Sequence, residues 1–215
     1  MNIVFIAPPA AGKGTLGLRI SQKWGIPHIS TGDLLRNIED KKLKQKLSQG
    51  KFIDDDTVCL LLEKRLLQKD CNKGYVLDGF PRNLNQAKMY DLLLKKVGNN
   101  RCIVIILDLE KEIAAKRIIG RKVCPNCKAV YNDLFTNTKP IEENVCDICG
   151  NRLIKRDDDN LETFEKRYQE YLKETYPLIK FYEDKGWAFH VACMESIDET
   201  FGQIEKIVGG LYDNN

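Results

Sequence analysis

A turn of small residues near the N-terminus constrains the fold of this chain more than any other feature. It follows Asn2–Ala7, an apolar run typical of a buried strand, and it precedes Leu16–Trp24, a helical segment. The turn itself, Ala10–Thr15, has the sequence Ala-Ala-Gly-Lys-Gly-Thr. Small residues allow backbone N–H groups to converge on an anion at a helix N-terminus, and the lysine extends toward the outer phosphates. Strand, turn and helix in this order predict a phosphate-binding loop in an α/β fold.

The loop departs from the strict pattern G-x-x-x-x-G-K-[ST] at two positions. Ala7 takes the place of the first glycine, and Gly14 follows Lys13 where a hydroxyl residue is expected. Pro8–Pro9 has no N–H groups to offer. The cradle must therefore be formed by the amides of residues 10–15.

Four cysteines in the middle of the chain form two C-x-x-C pairs separated by 18 residues. This spacing is typical of a structural zinc site, because four thiolates complete a tetrahedron and leave no open position for catalysis. Gly150 follows the second pair, where a tight turn is useful. Two disulfides, four free thiols and a nucleic-acid-binding ribbon are the alternatives, and the ribbon is neither strongly basic nor rich in aromatic residues. The predicted ligands are Cys124, Cys127, Cys146 and Cys149.

Composition limits the classes of function. The 215 residues are 43% hydrophobic and 30% charged, with a net charge of +3, which argues against a field built for nucleic acid. The longest apolar run, 103–107, is too short to span a membrane, and residues 1–7 lack a basic leader and a cleavage site. We therefore expect a cytoplasmic protein with no membrane partner. The other cysteines are expected to be reduced and mostly in the core: Cys59, Cys71, Cys102 and Cys193.

Strand-like runs alternate with helical segments along the chain, which predicts an α/β fold with a parallel five-stranded sheet and helices on both faces. The predicted strands are Asn2–Ala7, His28–Ser30, Tyr75–Asp78, Cys102–Leu107 and Ala188–Ala192. The predicted helices lie near 13–24, 31–48, 56–70, 83–97, 110–120, 160–185 and 197–211. Residues 30–53 and 121–158 break this rhythm. We interpret both as lobes inserted into a core of residues 1–29, 54–120 and 159–215.

At this point the motifs resemble a known family, the adenylate kinases, in the long bacterial form with a zinc-binding lid. The resemblance runs from Met1 to about Leu211. It implies the P-loop fold, a 30–53 lobe for AMP, a 121–158 lid, and the reaction ATP + AMP ⇌ 2 ADP with Mg²⁺ in a monomer that maintains adenine nucleotide balance. The motifs that carry it are Gly12-Lys13-Gly14-Thr15, Ser30-Thr31-Gly32-Asp33, Asp78-Gly79-Phe80-Pro81-Arg82, Gly120-Arg121 and Arg156-Asp157-Asp158-Asp159-Asn160.

The resemblance also implies the site residues, position by position. ATP would contact Ala10, Ala11, Gly12, Lys13, Gly14, Thr15, Arg117, Arg121, Val130, Tyr131 and Glu195. AMP would contact Thr31, Arg36, Lys51, Phe52, Ile53, Gly79, Phe80, Pro81, Arg82, Gln86, Arg156 and Arg167. Asp78 would orient Mg²⁺ through water. The catalytic cations would be Lys13, Arg82, Arg121, Arg156 and Arg167.

The residue types agree with this chemistry independently. Phosphoryl transfer depends on positioning and on neutralising charge, so fixed guanidinium forks serve it well and no histidine or cysteine nucleophile is needed. His28 and His190 are accordingly interpreted as structural. We expect Asp158 and Asp159 to anchor the lid hinge by charge pairing, with a solvated turn as the alternative.

A few residues depart from the family pattern. Ala7 and Ala10 stand where glycine is usual, and a left-handed alanine would cost roughly 1–2 kcal/mol. We therefore predict a negative φ at Ala10. Asp54 replaces a common proline, and Glu195 replaces a common glutamine near the adenine. These changes bear on nucleotide affinity and leave the reaction class unaffected.

Three alternative functions remain open from the sequence alone. A nucleoside monophosphate kinase acting on CMP, UMP or GMP shares the core motifs, although Thr31, Gln86 and the zinc lid favour AMP. A non-catalytic nucleotide sensor would explain the missing glycines, but it would not need the full set of basic residues. A zinc-ribbon nucleic-acid binder predicts salt-dependent binding to DNA or RNA.

Overall fold

The computed structural model describes residues 1–36, 53–98 and 101–212. The strands are β1 Asn2–Ile6, β2 His28–Ser30, β3 Tyr75–Asp78, β4 Ile103–Asp108, β5 Arg121–Val123, β6 Val130–Asn132 and β7 Ala188–Ala192. The helices are α1 Lys13–Trp24, α2 Thr31–Arg36, α3 Asp55–Leu66, α4 Leu84–Lys96, α5 Lys111–Ile119, α6 Leu161–Glu170, α7 Pro177–Glu183 and α8 Ile197–Tyr212. Short 3₁₀ turns lie at Lys69–Cys71 and Thr136–Thr138. Within the described ranges, no helix combines the length and the hydropathy that a membrane crossing needs.

The chain divides into two compact units. The first consists of Met1–Ile6, Leu16–Ile106 and Lys173–His190, and the second of Ala7–Thr15, Leu107–Leu172 and Val191–Asn215. The predicted division into a core, an AMP lobe and a lid remains a prediction, because most of 30–53 lies outside the described residues.

A five-stranded parallel sheet, in the order β2-β3-β1-β4-β7, forms the centre of the first unit. All five predicted strands are present, with ends shifted by no more than one residue. Val4 in the central strand lies opposite Leu77 on one side and Val104 on the other. The predicted fold class is therefore confirmed.

Both faces of the sheet are covered, as a parallel sheet requires. Every residue of β1 is buried, so the side chains that point to opposite faces are shielded equally. Val4 and Ile6 belong to one cluster that also contains buried residues of α3, α4 and α7. Burying one such aliphatic side chain contributes about 1.5–3 kcal/mol. The core of the first unit therefore holds the carboxyl ends of β1 and β3 in fixed places.

The predicted helix over 160–185 is interrupted in the structure. It ends as α6 at Glu170, continues as a π-helical turn over Tyr171–Thr175, and resumes as α7 at Pro177. Proline lacks an N–H and its ring clashes with the carbonyl four residues earlier, so a regular α-helix is kinked or broken at Pro177. The prediction of one continuous helix is therefore wrong at this point.

The 121–158 segment contains little regular structure, as its sequence indicated. Its β5 and β6 pair antiparallel, and isolated bridges join Val123 to Ile154 and Val145 to Arg152. A small cluster of buried side chains forms its interior: Cys124, Tyr131, Cys146 and Leu153. So small a core needs an additional constraint to stay folded.

Candidate functional site

The loop over residues 7–15, in the second unit, leads into the first turn of α1. Lys13 is the first residue of that helix, and the N–H groups of a first helical turn are the ones that an anion can accept from. The Lys13 ammonium donates to the carbonyl oxygens of Ala7, at 3.2 Å, and Pro8, at 3.1 Å. Gly12 adopts a left-handed φ of 87°. The geometry is that of an anion cradle with a lysine lying along it.

Ala10 has a φ of 64°, so the predicted negative φ is wrong. Ala10 packs against a cluster built from Ala114, Ile118 and Phe164, and this packing holds the strained conformation. The strain costs about 1–2 kcal/mol and is offset by contacts with residues more than 100 positions away in sequence.

Arg117, on α5, is fixed at its side chain and at its backbone. Its Nη2 donates to the carbonyl oxygen of Met194 at 2.8 Å, and its guanidinium lies 5.9 Å from the ring centre of Phe135. The Arg117 carbonyl accepts a hydrogen bond from the Asn132 side chain at 2.8 Å. Glu195, the next residue after Met194, is exposed. The structure therefore brings Arg117 close to the segment that contains Glu195.

Two arginines form ion pairs with the acidic run after the lid. Arg121 donates to both carboxylate oxygens of Asp159, whose side chain is fully buried. Arg167 donates to Asp158 at 2.6 Å. The expected charge pairing of these aspartates is confirmed. The alternative, a solvated turn without ion pairs, is not observed. Arg156 is exposed, and its carbonyl accepts from the Asp159 N–H at 3.1 Å.

A second group of predicted residues comes together in the first unit, where β3 ends. The buried Thr31 hydroxyl donates to the Asp78 carbonyl at 3.3 Å. Gly79 has a φ of 83°, and a Cβ there would lie 2.8 Å from the Thr31 oxygen. Arg82, which is exposed, donates from Nε to the Gly79 carbonyl at 2.9 Å. Only glycine fits between these two side chains.

Gln86 joins this group from the first turn of α4. Its amide oxygen accepts from the Arg82 backbone N–H at 2.7 Å, and its amide nitrogen donates to Asp55 at 2.6 Å. Phe80 and Pro81 are buried, so they would serve a ligand only through their backbone. Ile53 is half-buried, whereas Lys51, Phe52 and the side chain of Arg36 lie outside the described residues.

The four predicted metal ligands lie together in the second unit, with all four sulfurs within 4.8 Å of one another. The sulfurs of Cys124 and Cys149 lie 3.4 Å apart, and those of Cys127 and Cys146 lie 3.5 Å apart. Both exceed a disulfide bond of about 2.05 Å, and the cysteines are free thiols. A tetrahedron of Zn–S bonds near 2.3 Å has edges of about 3.8 Å, so the cluster fits a four-coordinate metal ion.

Hydrogen bonds favour the thiolate form that a metal requires at two of the four cysteines, Cys146 and Cys149. At Cys127 the backbone of Ala129 lowers the pKa, but desolvation and the neighbouring cysteine sulfurs outweigh it and raise the pKa to about 12. The backbone and side-chain N–H groups of Asn151 lower the pKa of the Cys149 thiol to about 5. The Tyr131 hydroxyl accepts from the Asp147 N–H at 2.9 Å, which directs its own proton toward Cys146 at 3.5 Å. This bond lowers the pKa of Cys146. Tyr131 is therefore buried in the lid, while the neighbouring Val130 is exposed.

Sequence reasoning missed two contributors to these sites. Asp55 belongs to none of the sequence motifs, and Tyr131 was expected only at the nucleotide. Their hydrogen bonds to Gln86 and Cys146 join residues 31 and 15 positions apart. No local pattern in the chain signals either contact.

Comparison with known proteins is consistent with this geometry. A family model described as adenylate kinase matches residues 5–187. An adenylate kinase of Caldanaerobacter subterraneus subsp. tengcongensis is 43% identical over 216 residues, covering 98% of this chain and 97% of that protein. Those of Archaeoglobus fulgidus, at 42%, and Clostridium botulinum, at 40%, each cover 97% of this chain and at least 98% of their own length.

Proposed function

This chain belongs to the adenylate kinase family, and on that premise we propose how its residues divide the work of the reaction. The enzyme transfers a phosphoryl group reversibly between ATP and AMP and yields two ADP. The comparisons give no support to a CMP, UMP or GMP kinase or to a non-catalytic sensor.

We assign ATP to the second unit. The observation that carries this assignment is the loop geometry: Lys13 is the first residue of α1, and its ammonium donates to the carbonyls of Ala7 and Pro8 in the turn before it. Amides and an ammonium preorganised in this way neutralise the charge that develops on a transferring phosphate. Arg117 on α5, Arg121 and the exposed Val130 on β6 would contact the rest of the ATP. Arg156 and Arg167 would reach the transferring phosphates and AMP.

We assign AMP to the group at the end of β3, in the first unit. The exposed Arg82 guanidinium is tethered by one hydrogen bond to Gly79, which leaves its other N–H groups for a phosphate. Thr31 and Gln86 belong to the same group and would contact AMP beside Arg82. We propose that Asp78 would hold the Mg²⁺ of MgATP through water, and the ion would neutralise phosphate charge.

We propose Zn²⁺ as the ion held by the four lid cysteines. Four sulfur donors within 4.8 Å of one another support zinc over harder cations, which prefer oxygen ligands. The ion would have a structural role, because the four sulfurs leave no coordination position open. A folded lid would then exclude water from the reacting phosphates and suppress ATP hydrolysis.

We further propose that the enzyme is a cytoplasmic monomer that binds ATP, AMP and ADP and has neither nucleic acid nor a membrane as a partner. The eight free thiols support a reducing compartment, and the near-balanced charge supports the absence of nucleic acid. Size-exclusion chromatography with light scattering tests the monomer.

The test of the assignment is ADP formation from ATP with AMP, GMP, CMP or UMP, with zinc content measured on the same sample. Arg82→Ala is expected to lower kcat by roughly 10³–10⁵-fold, the range that a transition-state arginine supplies. Arg101→Ala removes an exposed arginine from the same unit and is the matched control. Wild-type turnover by Arg82→Ala would refute the role of Arg82, and absence of ADP from ATP and AMP would refute the reaction.

A further inference from the structure

The side chain of Asp55, at the first position of α3, collects three amide groups from the start of α4. Its Oδ1 accepts from Gln86 Nε2 at 2.6 Å, its Oδ2 accepts from Asn85 Nδ2 at 2.8 Å, and Asn83 Nδ2 lies 3.4 Å from both oxygens. Asn83 also caps α4 by accepting from the Gln86 backbone N–H at 2.8 Å. One carboxylate therefore organises the N-terminal turn of α4 from another helix.

Asp55 is ionised in this setting. Burial alone would raise the pKa of its carboxyl, but the hydrogen bonds from Asn85, Gln86 and Asn83 hold that pKa below its usual range. An ionised carboxylate is an acceptor only. It can face the NH₂ end of the Gln86 amide and cannot face its oxygen without repulsion.

The opposite end of the same amide is fixed as well. Gln86 Oε1 accepts from the Arg82 backbone N–H at 2.7 Å, and a backbone N–H can only donate. A 180° flip of the amide would oppose oxygen to carboxylate and NH₂ to N–H, so both contacts would be lost together. Because Gln86 is buried, the lost hydrogen bonds could not be replaced freely by water. The order of donor and acceptor along this amide is therefore fixed.

The order matters for recognition of a purine base. Adenine and guanine present donor and acceptor in opposite orders along one edge, just as the two orientations of an amide do. Adenine presents an amino donor at position 6 beside an acceptor at N1, whereas a 6-oxopurine presents an acceptor at position 6 beside an N1–H donor. An amide that flips freely can pair with either edge. An amide locked in one orientation matches only one of them, since the other edge would meet donor with donor and acceptor with acceptor.

We propose that Asp55 is a specificity-determining positioning residue, which fixes the Gln86 amide so that the acceptor base is read as adenine and guanine is rejected. This inference rests on the proposed binding of AMP beside Gln86. Asp55 itself needs no contact with the nucleotide. The substrate class that it excludes is the 6-oxopurine monophosphates.

The deciding variant is Asp55→Asn, because asparagine keeps the shape of the side chain but can offer either an oxygen or an NH₂ to Gln86. We expect the ratio of kcat/KM for AMP to that for GMP to fall by about tenfold, the size of one misplaced buried hydrogen bond. The change should lie mainly in KM, with kcat for AMP within about threefold of the wild-type value. Asp56→Ala, which alters the exposed neighbour of Asp55, is the matched control and should leave the ratio unchanged.

A double-mutant cycle separates positioning from general stability. In a Gln86→Ala background, Asp55→Asn should no longer alter the AMP to GMP ratio, although it would still alter the melting temperature if it acts on the fold. An unchanged ratio in Asp55→Asn, or an equal effect with and without Gln86, overturns the inference. If wild-type enzyme forms no ADP with AMP, the proposed function itself fails. If wild-type enzyme prefers AMP and Asp55→Asn does so equally, only the role of Asp55 fails.

Discussion

Ala10 and Ala11 are adjacent alanines in the phosphate-binding loop with different backbone requirements. Ala10 has a φ of 64°, whereas the φ of the buried Ala11 is not positive. Alanine in the left-handed region pays a steric cost that glycine does not. The same substitution at the two positions therefore tests whether the strain is real.

Ala10→Gly should be at least about 1 kcal/mol more stable than Ala11→Gly, as measured by urea denaturation. Both substitutions raise the conformational entropy of the unfolded chain, which lowers stability by about 0.4–1 kcal/mol. Only Ala10→Gly also relieves backbone strain in the folded state, of about 1–2 kcal/mol. Equal free energies of unfolding in the two variants would show that the loop does not hold Ala10 in the left-handed region.

Tyr131 shows how a single hydroxyl can contribute to the proposed metal site. Tyr131→Phe removes the donor to Cys146 and keeps the ring in the lid core, so we expect metal affinity to fall by about 10–100-fold. Competition with a chromophoric zinc chelator measures this. Tyr168→Phe, which removes a hydroxyl from α6 in the same unit, should leave the affinity unchanged, and an unchanged affinity in Tyr131→Phe would exclude the proposed hydrogen bond.

At the scale of elements, the two cysteine turns are built alike but end differently. In each turn, an N–H four residues on donates to the first cysteine carbonyl: Lys128 to Cys124 at 3.1 Å and Gly150 to Cys146 at 2.8 Å. Both donor residues are left-handed, with φ of 65° and 69°. Glycine adopts a left-handed φ without a steric cost, whereas lysine does not. The second turn, which ends on Gly150, is therefore unstrained, and the first, which ends on Lys128, is strained.

Substitutions in these turns should shift metal affinity in opposite directions, since folding of so small a lobe is coupled to metal binding. Gly150→Ala meets no neighbouring atom within 4 Å, so its cost is purely conformational, about 1–2 kcal/mol or a roughly tenfold weaker Kd for zinc. Lys128→Gly should tighten binding by a smaller factor, because it also removes a 2.6 Å bond from the lysine to Pro125. Titration of the apoprotein against a zinc buffer would contradict this account if both variants bound more weakly.

The π-helical turn after α6 is an element that the periodic pattern of 160–185 concealed. Apolar spacing continued through it, but Pro177 prevented an α-helix and the chain widened its turn instead. Thr175, the last residue of that turn, donates to the Arg82 carbonyl at 2.8 Å. The irregular turn therefore contributes to holding Arg82 in the first unit.

At the scale of the whole molecule, ionisable groups determine how stability depends on pH. His28 is largely buried against Gly17, where an added Cβ would lie 2.5 Å from the imidazole. Burial lowers the pKa of His28 despite the nearby Asp78 and Asp33. Below about pH 6.5 the unfolded chain therefore binds a proton that the folded chain resists, and folding loses free energy as pH falls.

Carboxyl groups act at lower pH. Hydrogen bonds lower the pKa of Asp70 through Arg65 and of Glu165 through Lys111, and the pKa of the Asp55 carboxyl is lowered by its three amide donors. A carboxyl with a lowered pKa stabilises the fold above its unfolded value of about 4 and loses that contribution as pH falls through its folded pKa. The ion pairs of Asp70 with Arg65 and of Glu165 with Lys111 are exposed, so they contribute little to the free energy of unfolding.

Two separate losses of stability are therefore expected on acidification. Wild-type protein should become less stable between pH 7 and 5 and again below about pH 4, and His28→Gln should abolish only the first decline. Urea denaturation at a series of pH values measures both. A first decline of equal size in His28→Gln would mean that another group is responsible.

The sequence by itself determined the features that depend on neighbours in the chain. The five strands, the turn after β1, the paired cysteines and the family all follow from local composition and short motifs, because a buried strand, an anion cradle and a metal knuckle each need particular residue types within a few positions. Lys13, Arg82 and the four cysteines belong to such motifs, so the sequence alone singles them out as candidate site residues.

Only the tertiary structure decided the features that depend on residues distant in sequence. Packing against α5 and α6 holds Ala10 in a strained conformation that its own preference opposes. A carboxylate 31 residues away orients Gln86, and the ion pair of Arg121 with Asp159 spans 38 residues. The free energy of such contacts depends on burial and geometry, which arise only when separate segments meet.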